Sequence, residues 1–374
     1  MIKVLEILTS PIRCGGTQMF VLQLIKSLDK EINIDCLTPL YREDENFEKQ
    51  LLERGGTLYA LNLNHSKNLN YVYRPIKKFL KDRSYDIIHI HASTIQELAA
   101  IAAATKHNKS ARVIVHSHGS GSNFTILMRL FRAIASISMK KHVDYYCACS
   151  KSAAEWKFTP KYQKQTHIIS NGINTKQFRF NPVCRNDIRS KLQISDSEFV
   201  LGNVGRLYEI KNQSFLLSVF SEFLQKRPDS KLILVGDGPD RNALEQLAEQ
   251  KGIADRVIFV GNTNDVAGYL MAMDVFVFPS KHEAFGYAVI EAQASGLPVI
   301  ASNRLPDTVK LSENVSFLPI DNDSISKWVD AISSAHCEKR DNGIEIVRKA
   351  GYDLETTTKQ VEELYFSSSK IKKS

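Results

Sequence analysis

The stretch VFVFPSKHEAFGYAVIEAQASGLPVIAS (residues 275–302) contains two short apolar runs, one at each end. VFVFPS and LPVIAS are rich in β-branched and aromatic residues, which is typical of buried strands. The segment between them has the pattern of a helix, and Gly296 followed by Pro298 is a typical helix end. Because neighbouring buried strands that are joined by a helix run parallel, the stretch predicts a parallel α/β sheet.

Two glutamates flank the start of this predicted helix. Glu283 lies in the loop KHEAFG at the carboxyl end of the strand, and Glu291 lies little more than one turn into the helix. The N–H groups around Phe285, Gly286 and Tyr287 lack intrahelical partners and can bind an anion, while carboxylates accept hydrogen bonds from hydroxyls. The pattern indicates a ligand with phosphate and hydroxyl groups, unless the acids only stabilise the positive end of the helix dipole.

Two basic residues follow another predicted strand, FVLGNV, in the segment GRLYEIKN (205–212). Arg206 offers a planar fork to a phosphate, and Lys211 offers a compact positive charge. Taken alone, they could be solvated loop residues. Because the carboxyl ends of parallel strands meet at one edge of a sheet, we expect them near Glu283 and Glu291, where together they would surround a diphosphate.

The rest of the chain alternates between strand and helix patterns in both halves. At 374 residues it is long for one core, and a change of pattern near the turn Asn171-Gly172 suggests a domain boundary. We expect two Rossmann-like, doubly wound α/β domains, 1–170 and 171–374, with the C-terminal helix free to cross back to the first. The expected strands are 2–10, 32–39, 86–93, 111–119, 143–150, 199–207, 230–239, 256–262, 275–280 and 297–302.

The N-terminal half offers two further candidate features. Gly15 and Gly16 open the first helix and would present free N–H groups, although the pattern departs from GxGxxG. His89 and His91 share one face of a predicted strand, and His116 and His118 share one face of the next predicted strand. No carboxylate or cysteine with ligand spacing joins them, so a polar cleft lined by imidazoles is favoured over a metal site.

Charge is unevenly distributed along the chain. The net charge is +8, and residues 1–170 carry 24 Lys and Arg against 14 Asp and Glu, whereas residues 171–374 carry 25 against 27. The segment 123–143 combines apolar residues with Arg and Lys, as in a helix that lies on an anionic membrane, although a packing helix with a solvated edge is an alternative. No apolar run could span a bilayer, no signal pattern begins the chain, and the cysteines lack CxxC spacing, so we expect a cytoplasmic protein.

The second half resembles the retaining glycosyltransferases of family 4, which have the two-domain GT-B architecture. The matching motifs are GNVGRLYEIKN, LVGDGP, the stretch 275–302 and, at the domain junction, ISNGI. The first half is similar through GGTQMF, DIIHIHA and HSHG. The ending RLPDTVKLSENVSFLPI is similar to the branch that builds capsular and exopolysaccharides.

This resemblance implies two Rossmann-like domains facing across a cleft and a retaining hexosyltransferase that needs no metal. A nucleotide-diphosphate sugar is the implied co-substrate, and a glycan or lipid-diphosphate-linked sugar at the inner face of the cell membrane is the implied acceptor. By position, Arg206 and Lys211 bind the diphosphate, Glu291 binds the ribose, and Glu283 and His118 contact the transferred sugar. The remaining implied donor-binding positions are Gly15, Gly16, Gly205, Asn262, Thr263, Ala284, Phe285 and Gly286.

Two positions depart from the family pattern. Gln18 stands where the family often has an acid, and NRLPDTV replaces a GG-x-PE segment; both departures concern acceptor or donor selectivity. A sugar-nucleotide epimerase with the same two-domain frame and a non-catalytic nucleotide-binding subunit remain alternatives. Nucleic-acid binding is disfavoured because the basic residues form no known nucleic-acid-binding module.

Overall fold

The computed structural model describes residues 1–9, 16–40, 45–63, 69–92, 94–108, 110–119, 126–283, 285–335, 340 and 342–370. Its contacts divide the chain into two compact units, which we call unit 1 and unit 2. Unit 1 comprises Met1–Gly172 together with the chain from Leu354 onwards, and unit 2 comprises Ile173–Asp353. The C-terminal helix therefore groups with the N-terminal domain.

The sheet of unit 1 is entirely parallel within the described residues. Its strands are β1 Ile2–Leu8, β2 Ile32–Thr38, β3 Leu58–Ala60, β4 Ile87–His91, β5 Arg112–Ser117, β6 Tyr145–Ala148 and β7 Thr166–Ile168. They lie in the order β3-β2-β1-β4-β5-β6-β7, so the order reverses between β1 and β4. Alternate residues of β1 point to opposite faces: Leu5 and Ile7 join one apolar cluster, and Val4 and Leu8 join another. Helices thus cover both faces, as a parallel sheet requires.

Among the described residues, the side chains of Thr94 and Ser150 each cap the start of a helix in unit 1. The helices of this unit are α1 Gly16–Ser27, α2 Glu45–Glu53, α3 Asn70–Lys81, α4 Ile95–Ala104, α5 Ile126–Met139, α6 Lys151–Lys157 and α7 Pro160–Gln163. At the start of α4, the Thr94 hydroxyl accepts from the Glu97 amide while the Glu97 carboxylate accepts from the Thr94 amide, both at 3.1 Å. This reciprocal capping box fixes the point at which the loop after β4 ends and helix α4 begins.

Unit 2 has a parallel sheet with the strand order of a nucleotide-binding fold. Its described strands are β8 Phe199–Val204, β9 Ser230–Val235, β10 Val257–Gly261, β11 Val275–Phe278, β12 Val299–Ser302 and β13 Val315–Leu318. The order is β10-β9-β8-β11-β12-β13, which reverses between β8 and β11. Ligands of open α/β sheets bind beyond the carboxyl ends of the strands at such a reversal.

Helices cover both faces of this second sheet as well. They are α8 Pro182–Lys191, α9 Gln213–Lys226, α10 Arg241–Gln250, α11 Val266–Ala272, α12 Tyr287–Ala294, α13 Ile325–Ser334 and α14 Gly343–Lys349. Two partly buried ion pairs tie α8 to the start of β11: Arg189 and Arg185 each lie 2.7 Å from a different carboxylate oxygen of Asp274. Arg189 also donates to the carbonyl of Ala272 at 3.0 Å.

The last helix, α15 Leu354–Lys370, packs on unit 1. Val361, Leu364 and Tyr365 join the apolar cluster that contains β1 and α1. The hydroxyls of Thr358 and Ser27 lie 2.7 Å apart, which links α15 to α1. In the described residues, no helix combines the length and the apolar character that a membrane span requires.

The two Rossmann-like units confirm the fold class that was expected from the sequence, and each predicted strand has a counterpart. Strands β3, β7 and β13 were not predicted, because each is short and only partly buried along its length. Residues 123–125 of the basic amphipathic segment 123–143 lie outside the described residues, residues 126–139 form α5, and residues 140–143 follow the helix.

Candidate active site

The loop between β8 and α9 turns sharply at Asn212. Residues Glu209–Lys211 form one turn of 3₁₀-helix, and Asn212 follows with φ of 59°, in the left-handed region that asparagine tolerates. The Asn212 side-chain amide donates to the carbonyl of Pro279 at 3.3 Å. The loop after β8 is thereby fastened to the loop after β11.

Further hydrogen bonds join the same two loops. The amide of Lys281 and the hydroxyl of Ser280 donate to the carbonyl of Ile210 at 2.8 and 3.1 Å. As a result the Lys211 ammonium forms an ion pair with the Glu283 carboxylate, and the two side chains are 21% and 12% exposed. The structure therefore brings together two of the residues that the sequence pattern selected, at the point where the strand order reverses.

The partners of this ion pair keep hydrogen-bonding capacity for a ligand. A lysine ammonium has three donors, and an ionised carboxylate has about four lone-pair directions. The ammonium lies 5.2 Å from the centre of the Phe278 ring, which shields it on one side. The pair thus presents a donor for phosphate oxygens beside an acceptor for hydroxyls.

Arg206 lies on the exposed side of the same loop. Its carbonyl accepts from the Gln213 side chain at 3.1 Å, which fixes the backbone, while its guanidinium lies 5.9 Å from the exposed ring of Tyr208. Among the described residues, it forms no ion pair with Glu283 or Glu291. The expected group of four charged residues is therefore only partly assembled in this structure.

Helix α12 begins at a glycine in a left-handed conformation. Gly286 has φ of 87° and caps α12, and a residue with a Cβ would be strained there. Phe285 is buried, and its ring meets that of Tyr287 edge-on at 4.8 Å. Ala284 lies outside the described residues. The start of α12 is the positive end of its helix dipole and is close in sequence to Glu283.

Glu291 lies one turn further along α12 and is partly buried. Burial raises the pKa of Glu291 to about 7, because the carboxylate loses hydration. In the described part of the chain no cation pairs with it, and it does not contact Glu283. A carboxylate in this state gains from hydroxyl donors supplied by a ligand.

The loops after β8, β9 and β10 are closely packed. The Gly205 amide donates to the Val235 carbonyl at 2.9 Å, so this N–H group is already used within unit 2. Gly236 has φ of 125°, and a Cβ there would lie 2.2 Å from the Gly205 carbonyl oxygen. Asn262 is exposed, and the Thr263 hydroxyl accepts from the Asp265 amide at 3.0 Å.

In unit 1, the four histidines expected from the strand pattern do come together. His89, His91 and His116 are buried, whereas His118 is partly exposed at the carboxyl end of β5. Phe20 of α1 packs against His118 with ring centres 4.9 Å apart. Gly16 is the first residue of α1, and Gly15 lies outside the described residues.

A buried carboxylate organises this cluster. Glu6 of β1 is 1% exposed, and its Oε2 lies 2.6 Å from Nε2 of His91. The other ring nitrogen of His91, Nδ1, lies 2.8 Å from Nε2 of His118. Nδ1 of His118 lies 3.2 Å from the side-chain oxygen of Asn171. An unbroken line of hydrogen bonds thus runs from Glu6 to Asn171.

A tyrosine from the C-terminal helix completes the surroundings of Glu6. The Tyr365 hydroxyl donates to Glu6 Oε1 at 2.7 Å and lies 2.7 Å from Nδ1 of His89. The expectation of a cleft lined by imidazoles is therefore wrong, because three of the rings are buried and a carboxylate does join them. Glu6 could have been noticed in the sequence as the one acid inside the apolar run IKVLEIL, but nothing in it pointed to Tyr365.

Burial determines the protonation of the cluster. Loss of hydration lowers the pKa of His91 to about 4 and holds the pKa of His118 well below its usual value. Burial alone would raise the pKa of Glu6, but its contacts with His89 and His91 hold it well below the usual range. At neutral pH the structure therefore has an ionised Glu6 beside neutral His91 and His118.

A metal ion could compete for the same nitrogens. Ligand atoms of His89, His91 and His116 lie within 4.8 Å of one another. Both ring nitrogens of His89 and of His91 already have hydrogen-bond partners: Tyr365 and His116 contact His89, whereas Glu6 and His118 contact His91. Such bonds are also typical of the outer partners of metal ligands, so the geometry alone does not assign a metal here.

Comparison with known proteins gives the family. The family model described as Glycosyltransferase Family 4 matches residues 14–177, and the model described as Glycosyl transferases group 1 matches residues 185–349. EpsF of Bacillus subtilis (strain 168), by name a glycosyltransferase, is 28% identical over 363 residues, covering 94% of this chain and 93% of that protein.

Two further similarities extend this result. The UDP-Gal:alpha-D-GlcNAc-diphosphoundecaprenol alpha-1,3-galactosyltransferase of Escherichia coli is 27% identical, covering 73% of this chain and 75% of that protein. The crystal structure of Anabaena Alr3699/HepE in complex with UDP has a TM-score of 0.72 at 19% identity, covering 98% of this chain and all of that one. WaaG, a glycosyltransferase involved in lipopolysaccharide biosynthesis, has a TM-score of 0.71 at 16% identity, covering 97% and 99%. With family models matched in succession across both units, the chain belongs to the group 1 glycosyltransferases.

Proposed function

We propose that this protein is a retaining hexosyltransferase that moves a sugar from a nucleotide-diphosphate sugar to a glycan or lipid-diphosphate-linked acceptor in cell-surface polysaccharide synthesis. The observation that carries the proposal is the Lys211–Glu283 ion pair beside the start of α12. It presents a cation and a carboxylate at the carboxyl ends of β8 and β11, close in sequence to the positive end of the α12 dipole. A sugar diphosphate has the matching groups, namely phosphate oxygens followed by hydroxyls.

Charge development decides which residues matter for the reaction. The bond between the anomeric carbon and the diphosphate oxygen breaks, so negative charge grows on the leaving diphosphate. Lys211, Arg206 and the N-terminus of α12 stabilise that charge, and such preorganised groups supply the largest share of many rate enhancements. We therefore propose that these groups, rather than a metal ion, serve the leaving group.

The remaining residues hold the sugar and the nucleoside. Glu283 accepts from hydroxyls of the transferred sugar, Glu291 accepts from the ribose, and His118 contacts the sugar. The loop with Asn262 and Thr263 lies near the base. In a retaining reaction the acceptor oxygen attacks the face that the leaving group departs from, and its proton passes to the departing phosphate oxygen.

The names of similar proteins support a lipid-linked acceptor. The Escherichia coli relative is named for a diphosphoundecaprenol acceptor and UDP-Gal, while EpsF is by name a glycosyltransferase. Anabaena HepE has been solved with UDP-glucose. We propose a nucleoside-diphosphate hexose as donor, with UDP-hexoses first among the candidates.

Helix α5 supplies a surface suited to a membrane-bound acceptor. Leu130, Ile134 and Ile137 follow a helical stripe and are 55%, 56% and 68% exposed. Lys140 and Lys141 follow directly and are also exposed. An exposed apolar stripe beside cations is the pattern of a helix that lies at an anionic bilayer surface. We propose that unit 1 docks there through α5.

The function is tested by a donor screen that reads nucleotide release and product together. The purified chain is incubated with UDP-, GDP- and ADP-hexoses, with and without polyprenyl-diphosphate sugar acceptors. We expect acceptor-dependent release with one donor, and the anomeric configuration of the product, measured by proton NMR, to match that of the donor.

Other outcomes of the screen distinguish the alternatives. An epimer formed from the sugar nucleotide alone would replace the transferase assignment with an isomerase. Donor binding without transfer to any acceptor in the panel would indicate a nucleotide-binding subunit. Inverted product configuration would refute the retaining mechanism while leaving the transferase assignment intact.

A further inference from the structure

Glu6 is too deeply buried to touch a substrate, yet hydrogen bonds connect it to His118. The contacts are Glu6 Oε2 to His91 Nε2 at 2.6 Å and His91 Nδ1 to His118 Nε2 at 2.8 Å. His91 is the last residue of β4, and His118 directly follows β5, which pairs with β4, so the sheet brings the two residues close together. A line of this kind restricts which nitrogen of each ring carries the proton.

The proton positions follow from the Glu6 end. An ionised carboxylate only accepts, so Nε2 of His91 carries a proton. Burial lowers the pKa of His91 to about 4, so at neutral pH this ring is neutral and its Nδ1 is bare. A bare Nδ1 accepts, and therefore Nε2 of His118 carries the proton. Because His118 is neutral as well, its Nδ1 is left as an acceptor.

The second oxygen of Glu6 supports the same assignment. The Tyr365 hydroxyl donates to Oε1 at 2.7 Å, so its own oxygen accepts from Nδ1 of His89. Nδ1 of His89 also lies 3.5 Å from Glu6 Oε2, as expected of a protonated nitrogen. Three donor groups thus point towards the Glu6 carboxylate: Nε2 of His91, the Tyr365 hydroxyl and Nδ1 of His89. Hydrogen-bond donors of this kind favour the ionised form of a carboxyl group.

Asn171 occupies the far end of the line. Its side-chain amide lies 3.2 Å from Nδ1 of His118 and is buried. A bare Nδ1 needs a donor, so the NH₂ group of the amide must face His118, which exchanges the amide oxygen and nitrogen positions. A sugar hydroxyl can take the place of this amide donor, because a hydroxyl also donates one hydrogen bond.

We propose that Glu6 is a positioning residue for His118: acting through His91, its carboxylate fixes the Nε2–H tautomer of His118 and leaves Nδ1 as an acceptor for a hydroxyl of the transferred sugar. The identity of that hydroxyl donor rests on the proposed function. The tautomer itself does not, because it follows from the contacts of unit 1 alone.

The test is the tautomer of His118, measured in the whole protein with histidine labelled with ¹⁵N and ¹³C. Long-range correlations between ring nitrogens and ring carbon-bound protons distinguish a protonated from a bare nitrogen, and the signals missing in His118→Asn assign the residue. In the wild-type protein at neutral pH we expect protonated Nε2 and bare Nδ1. Protonated Nδ1 would overturn the proposal without any variant being needed.

Glu6→Gln tests the carboxylate itself. The amide oxygen can still accept from Tyr365, and its NH₂ group then faces His91, which reverses every donor along the line. We expect His118 to change to the Nδ1–H tautomer. The matched control is Tyr365→Phe, which removes a hydrogen bond to Glu6 but leaves the line intact, so His118 should keep its wild-type tautomer. An unchanged His118 in Glu6→Gln would overturn the proposal.

Transfer kinetics form the second arm of the test. With His118 presenting a donor instead of an acceptor, we expect kcat/KM for the sugar nucleotide to fall about three- to tenfold in Glu6→Gln, which corresponds to one hydrogen bond. The fall should be absent in Tyr365→Phe. If the tautomer changes but the wild-type protein transfers no sugar, the proposed function fails and the positioning role stands.

Discussion

Lys211 forms an ion pair with Glu283, although 72 residues separate them in the chain. The pair joins the loop after β8 to the loop after β11, and these strands are neighbours where the sheet order reverses. A group that contacts phosphate is thereby held beside a group that contacts sugar hydroxyls. Movement of either loop would change both contacts together.

Removal of the lysine should affect the chemical step. Lys211→Ala takes away a cation from the leaving diphosphate and leaves Glu283 without its partner, so we expect kcat to fall by about 10²–10³. Arg206→Ala should lower kcat in the same range, because the exposed guanidinium is free to turn towards the phosphates. The measurement is steady-state nucleotide release with the donor identified in the screen.

The matched control for this prediction is Lys281→Ala. Lys281 lies in the same pair of loops, but it is exposed and pairs with the exposed Glu209 at 3.0 Å. Exposed pairs of this kind contribute little, so we expect near wild-type kcat. Wild-type turnover in Lys211→Ala would remove this lysine from the mechanism.

The pKa of Glu291 makes donor binding depend on pH. Burial raises this pKa to about 7, so the carboxylate is mostly ionised at pH 8 and mostly protonated at pH 6. An ionised group accepts two ribose hydroxyls, whereas the protonated group accepts fewer. We therefore expect the donor KM to rise severalfold as the pH falls from about 8 to about 6.

Glu291→Gln separates this group from other titrating residues. The amide stays neutral at every pH in this range, so the donor KM should be higher than that of the wild type at pH 8 and nearly constant down to pH 6. A variant with the same pH profile as the wild type would show that another group titrates in the donor site.

The sequence predicted the parts of the site that depend on neighbouring elements. Lys211 and Glu283 each follow a buried strand, and the carboxyl ends of parallel strands meet at one edge, so their proximity followed from pattern alone. The hydrogen bond from the Gly205 amide to the Val235 carbonyl was not predicted, because it depends on how the loops after β8 and β9 pack. Backbone partners in loops are set by tertiary contacts that residue types do not reveal.

The histidine cluster shows the same limit. The alternation of strand side chains placed His89 beside His91 and His116 beside His118, and adjacent strands then brought the pairs together. The depth of the cluster was not predicted, since it depends on α1 and α15 covering that face of the sheet. Tyr365 reaches Glu6 from 359 residues away, and no local signal marks such a contact.

A single buried group in each unit should make the folding stability of the two units depend on pH in opposite directions. In unit 1, the folded-state pKa of His91, about 4, lies below its ordinary value, so this group adds stability as the pH rises from about 4 to about 6.5. In unit 2, the folded-state pKa of Glu291, about 7, lies above its ordinary value. Glu291 therefore removes stability as the pH rises from about 4.5 to about 7.

The distribution of tryptophan allows each unit to be followed by itself. Trp156 lies in α6 of unit 1, and Trp328 lies in α13 of unit 2. In urea unfolding followed by tryptophan fluorescence, the Trp328→Phe protein therefore reports unit 1 and the Trp156→Phe protein reports unit 2. Adding Glu291→Gln to the Trp156→Phe protein should remove the unfavourable slope of unit 2 between about pH 4.5 and 7. Identical slopes with and without Glu291→Gln would contradict the burial of an ionisable carboxyl there.

The exposed stripe of α5 should bind anionic membranes. Ile134 and Ile137 are 56% and 68% exposed, and burial of such side chains in the acyl boundary contributes about 1.5–3 kcal/mol each when complete. We expect the double variant Ile134→Glu, Ile137→Glu to lose at least tenfold in partitioning to vesicles that contain phosphatidylglycerol, measured by co-sedimentation. Lys140 and Lys141 should each add about 1 kcal/mol at low salt, so high salt should weaken binding of the wild type.

A control variant in unit 2 distinguishes membrane binding through α5 from nonspecific membrane binding. Val183 of α8 is 65% exposed, as apolar as the α5 residues, but it has no neighbouring pair of lysines in sequence. Val183→Glu should therefore leave vesicle binding unchanged. If the wild type bound phosphatidylcholine vesicles as well as anionic ones, or if Val183→Glu weakened binding as much as the α5 variant, α5 would not be the docking surface. Because the acceptor's lipid anchor holds it at the bilayer, a true docking surface should also lower the KM for a polyprenyl-linked acceptor in vesicles but not for a short-chain acceptor in solution.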